Sequence, residues 1–126
     1  MAHSPAAAAA ARFDIAPAAS PHRMVTLLLD GAIGRLGRAA EEGSLARSES
    51  LSAAVAIIEA LQDSLDMARG GLLAANLNDL YDYMLRRLSH AAVAGDAGPL
   101  AEVAGLLDTI REGWAAIAPE VEAPRA

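Results

Sequence analysis

Leu100-Ala101-Glu102-Val103-Ala104-Gly105-Leu106-Leu107-Asp108-Thr109-Ile110-Arg111-Glu112-Gly113-Trp114-Ala115-Ala116-Ile117 decides the secondary-structure class of this chain. Leu100, Val103, Leu107, Ile110, Trp114 and Ile117 follow one another in alternating steps of three and four residues. A strand repeats every second residue, whereas steps of three and four bring side chains onto one face of an α-helix. The stretch is therefore an amphipathic helix. It follows Asp96, with Gly98-Pro99 in or just before the first turn, where proline is tolerated. Pro119 and the residues after it read as a polar tail.

Working back from this helix, the same logic recovers three more. A third helix spans about Leu72 to Ala94 and ends at Gly95. Before it, Arg69-Gly70-Gly71 makes a turn. A second helix, capped by Ser44 and reaching about Met67, carries Leu51, Val55, Ile58, Leu61 and Leu65. The first opens at Ser20-Pro21, with Ser20 as N-cap and Pro21 at the first helical position. It runs to Glu42, with Gly43 beyond it, and its stripe is Val25, Leu28, Leu29, Ala32, Leu36 and Ala40. Four helices of similar length joined by short connections run antiparallel to their sequence neighbours. The expected fold is all-α, an antiparallel up-down four-helix bundle over residues 20–119. Residues 1–19 read as a flexible Ala/Pro-rich N-terminal arm, and 120–126 as the polar C-terminal tail.

The chain of 126 residues suits one domain with one core. A net charge of −6 disfavours a nucleic-acid partner. The absence of Cys fits a reducing compartment and excludes disulfides, thiol catalysis and Cys-based metal sites. No uncharged apolar stretch approaches the roughly 18 residues that mark a membrane span, so no membrane insertion is expected. The Ala run from Ala6 to Ala11 lacks a leading positive segment and any Leu, Ile or Val, which argues against a signal peptide and for a cytoplasmic protein.

Chemistry is not legible anywhere along the chain. A di-iron bundle needs Glu-x-x-His pairs, and none is present. His3, His22 and His90 share no helix face, so neither a metal nor another cofactor is expected. There is no Gly-x-Ser-x-Gly elbow and no phosphate-cradling Gly loop. Glu41, Glu42, Asp63, Asp66, Asp79 and Asp82 lie on polar faces as solvated surface. Arg86 and Arg87 read as partners of Asp82 or Asp79. No catalytic residue is assigned.

What exceeds the needs of a bundle is apolar helix surface. At about 100° per residue, Leu73, Leu77, Leu80, Met84 and Leu88 fall within roughly 80° of each other, enough for a core stripe. Tyr81 and Leu85 widen that stripe on one side, and Leu72 and Tyr83 on the other, to an arc of about 220°. Ile57 and Leu61 widen the second helix in the same way. Two readings stand on this geometry: a groove that receives a partner, or corner residues that shield the core edges.

Several segments resemble the flagellar secretion chaperones for flagellin, the FliS family. They are Ala19-Ser20-Pro21-His22, Leu29-Asp30-Gly31-Ala32, Leu65-Asp66-Met67 with Gly70-Gly71, and Leu106-Leu107 through Arg111 to Trp114. The densest is Asn76-Leu77-Asn78-Asp79-Leu80-Tyr81-Asp82-Tyr83-Met84-Leu85-Arg86-Arg87-Leu88. Together they cover about Ser20 to Pro119. The resemblance implies a bundle that binds the disordered C-terminal segment of flagellin, prevents its premature polymerisation and presents it to a component of the export gate. It also implies that family members can touch an anti-sigma factor. On this reading Ile57, Leu61, Leu72, Tyr81, Tyr83 and Leu85 line the flagellin-binding groove, and Asn76 bonds client backbone. Leu80, Met84 and Trp114 are assigned to the core. Leu29 stands where the family often has an aromatic residue. Phe13 stands in place of the Tyr that the family's arm usually carries, and it is either an N-terminal plug over the groove or an exposed tail residue. A monomer or weak dimer is expected when free. The rival reading is a dimerising helical adaptor with no client, which uses the same apolar flanks for self-association.

Overall fold

The structure is a computed structural model that describes residues 20–116. The arm with Phe13, and the tail with Ile117 and Pro119, lie outside the described residues. Four helices follow in order: α1 (Pro21–Glu41), α2 (Ser44–Asp63), α3 (Met67–Ala94) and α4 (Gly98–Ala116). They form the four-helix bundle that the periodicity predicts. α1 packs against α2 and α4, α3 packs against the same two, and the diagonal pairs do not meet. Cross-links between helix ends fix the antiparallel sense. His22 at the start of α1 meets Trp114 at the end of α4, and Arg87 late in α3 meets Glu102 early in α4.

The helix ends explain where the sequence reading shifts. Ser20 Oγ accepts from the Arg23 N–H at 3.1 Å, with Pro21 in the first turn, as expected. Glu42, expected to be the last residue of α1, is its C-cap instead. Ser44 is not the cap of α2: Gly43 takes that place in an extended conformation, and Ser44 is the first helical residue. Arg47 Nε donates to Ala39 O at 2.8 Å, so a side chain from α2 satisfies a carbonyl in the last turn of α1. α2 ends at Asp63, not near Met67. The reason is Asp66, whose carboxylate accepts from the Arg69 N–H at 2.9 Å and starts α3 there. Leu65, placed on α2 by its spacing, therefore sits in the connection.

The expected turn at Arg69-Gly70-Gly71 is a break inside α3. Gly71 adopts φ 53° and ψ −130°, which separates a single turn at Met67–Gly70 from the long shaft beginning at Leu72. Only glycine takes that conformation without strain. At the other end Gly95 is left-handed, and its N–H donates to Ala91 O at 2.9 Å.

The core is built from Leu28, Leu29 and Leu36 of α1, Ile57, Ile58 and Leu61 of α2, Met84 and Leu88 of α3, and Leu100, Val103 and Leu107 of α4. Ala32, Ala39 and Ala54 are fully buried, and their small side chains let α1 and α2 approach closely along the most extensive seam of the bundle. Ala40, expected on the α1 stripe, is exposed, and its neighbour Ala39 takes the inward position. Both seams made by α3 are thinner. That asymmetry positions the site.

Candidate functional site

Among the described residues, one end of the bundle is open. There the first turns of α1, the end of α2, the first turns of α3 and the end of α4 enclose a cleft of about 280 Å³. Its walls are almost wholly apolar: Val25, Leu61, Leu65, Leu73, Ala74, Leu77, Tyr81, Ile110 and Trp114. A second depression of about 310 Å³ shares Leu73, Leu77, Ile110 and Trp114 with it and continues over Thr109 and Gly113. The two form a trough along the α3–α4 seam.

Local sequence accounts for the opening. At this level Val25 is the α1 side chain in the wall, while Gly70 and Ala74 keep the nearby wall of α3 thin. An added Cβ at Gly70 would come within 2.6 Å of Ala74 Cβ, so a larger residue would disturb the approach. The break at Gly71 leaves Leu73 68% exposed and Leu72 78% exposed, with Met67 half-exposed beside them. These are large apolar side chains facing water, which a small domain rarely leaves in one place without a partner.

Trp114 is held from behind. Its ring stacks on the imidazole of His22 with centroids 4.5 Å apart and planes 6° from parallel. Trp114 Nε1–H donates to His22 O at 2.9 Å, and His22 Nε2 lies 2.9 Å from Trp114 O. A carbonyl can only accept, so Nε2 carries the hydrogen. Tyr81 closes the floor, where burial pushes its phenol up to about 12.

The seven residues expected to line one groove are not brought together. Leu61 and Tyr81 are in the cleft, but as its buried floor. Ile57 is closed within the core at 2% exposure. Leu72 and Asn76 are exposed at the start of the α3 shaft, outside the cleft walls. Leu85 is half-buried and lines a separate depression with Val55 and Leu88 on the α2–α3 side. Tyr83 lies on the α4 side, where its hydroxyl donates to Glu102 Oε2 at 2.7 Å. Arg87 also reaches Glu102, at 2.7 Å, rather than Asp79 or Asp82. Asp82 is turned the other way, accepting from Gln62 Nε2 of α2 at 2.7 Å. The Arg87 and Tyr83 bonds hold the Glu102 carboxyl below the usual carboxylate range, and the carboxylate in turn raises Tyr83.

Sequence reasoning missed Leu73, Leu77, Ile110 and Trp114 as site residues because each fits its core stripe. Of the three residues assigned to the core, Met84 is fully buried, Leu80 is half-buried and Trp114 is in the trough wall. The signal available was positional: these residues cluster at one end of the bundle. Among the described residues no group of three or more His, Cys, Asp or Glu could hold a metal, and no helix is long and apolar enough to cross a membrane.

A four-helix bundle with an open apolar trough has the form of a binding protein. The family model described as "Flagellar protein FliS" matches residues 4–121. Over 107 residues the chain is 46% identical to the flagellar secretion chaperone FliS of Salmonella typhimurium, covering 81% of this chain and 79% of that protein. It is 39% identical over 102 residues to the flagellar secretion chaperone FliSB of Pseudomonas aeruginosa, covering 76% and 79%. It is 33% identical over 100 residues to the flagellar secretion chaperone FliS of Bacillus subtilis, covering 76% and 74%. The chain belongs to the FliS family, a family of chaperones and not of enzymes.

Proposed function

We propose that this protein binds the disordered C-terminal segment of flagellin in the cytoplasm, keeps it from polymerising early and helps deliver it to the flagellar type III export apparatus. The observation that carries the reading is the apolar trough between α3 and α4, with Leu73 exposed in its wall. An amphipathic helical piece of the client can lay its apolar face there. A disordered tail loses conformational entropy on ordering, and burial at about 25 cal/mol per Å² of apolar surface offsets that loss without covalent chemistry or ATP. The two depressions, about 280 and 310 Å³, suit individual apolar side chains better than a large cofactor.

Native mass spectrometry of the full chain, with and without a synthetic flagellin C-terminal peptide, tests the reading. A 1:1 complex with peptide is the expected result. A dimer that peptide leaves unchanged would contradict it and favour a self-associating adaptor.

A further inference from the structure

We infer that His22 is a positioning residue, fixing the indole of Trp114 as a rigid wall of the trough on which the client docks; this rests on the functional reading above. His22 is a polar side chain only 5% exposed, in the first turn of α1. A buried polar ring is costly unless its hydrogen bonds are made. Here its Nε2–H meets the main-chain carbonyl of Trp114 on α4. The indole N–H returns a bond to the carbonyl of His22. The indole N–H bond and the near-parallel stack therefore restrain the side-chain torsions of Trp114, while the Nε2–H bond to the Trp114 carbonyl fixes the His22 ring in the stack. The anchor is itself firm, because Ser20 caps this turn and Pro21 stiffens it.

The consequence concerns affinity more than folding. An aromatic wall already held in its bound orientation loses little freedom when a client arrives, and preorganisation of this kind strengthens binding. Without the imidazole the indole keeps only its bond to the residue 22 carbonyl, and binding would have to restore the tilt that the stack now fixes.

The test uses the full chain, the flagellin C-terminal peptide as probe, calorimetric titration, and emission from Trp114, the single tryptophan of the sequence. The variants are His22→Ala, His22→Phe and Leu36→Ala. Leu36 is a buried core residue about 20 Å along α1 from His22 and outside the trough walls, so it reports lost stability alone. Expected results are Kd weakened about tenfold in His22→Ala, with red-shifted indole emission before any peptide is added. His22→Phe, which keeps a stacking ring, should recover most of the affinity. Leu36→Ala should lower Tm yet bind within about twofold of the unmodified protein. Unchanged affinity in His22→Ala overturns the inference. So does Phe binding no better than Ala, or Leu36→Ala weakening binding as much as His22→Ala. Absence of binding by the unmodified protein overturns the functional reading, and the inference with it.

Discussion

At the residue scale, side chains of similar type do different work according to depth along the helix. Met84 is fully buried among core residues of the bundle, so Met84→Ala leaves a cavity and should cost about 2–5 kcal/mol in chemical denaturation. Gly71 and Gly37 make an opposed pair. Gly71→Ala forces a Cβ into φ 53° and should destabilise by about 1 kcal/mol or more. An added Cβ at Gly37, in mid-helix, meets nothing within 4 Å. Gly37→Ala should therefore stabilise by about 0.5–1 kcal/mol, read as a Tm rise of a few degrees. Spacing alone shows neither difference, since it records that a glycine interrupts a helix and not the torsion it adopts. The same holds for His22: spacing places it in the first helical turn, and only the fold brings α4 alongside it.

At the scale of elements, helices and their faces were legible because steps of three and four have no strand equivalent, and because Ser20-Pro21 and Gly95 mark ends with their own chemistry. The end of α2 was not. Leu65 continues the apolar stripe, and only the competing cap at Asp66 ends the helix before it. Partners across helices were hidden too. Spacing along one helix favoured Arg87 with Asp79 or Asp82, yet the fold sets Glu102 of α4 closer. That tie has a pH signature. Glu102 lies below its ordinary value of 4.5 in the folded chain, so folding favours its charged form. Its contribution is complete above that value and is lost as pH falls through the lower folded one. Glu102→Gln should therefore flatten the decline of Tm on acidification below about pH 4.5, measured by thermal melts. An unchanged acid slope would show that the α3–α4 bonds do not contribute to the linkage.

At the scale of the whole molecule, the bundle and the surplus of apolar surface were both readable, but the direction of the surplus was not. An angular projection places the excess around the circumference of α3, and of α2 at Ile57, and so points to Tyr83, Leu85 and Ile57 as groove residues. In the fold much of it runs along the axis. α3 extends its stripe through Leu77 and Leu73 to an end where α1 contributes Val25 to the wall, and Ile110 and Trp114 of α4 complete it. Residues that a helical wheel assigns to the core thus line an open trough by position. Leu73 tests this cleanly, because a side chain already 68% exposed contributes little to folding. The decisive measurement is calorimetric titration of the flagellin C-terminal peptide into the unmodified protein and Leu73→Ser, with Tm recorded for each. The account predicts affinity weakened about tenfold or more, from the loss of one buried leucine contact, with Tm nearly unchanged. Equal affinity in the two proteins would contradict the end trough as the client site.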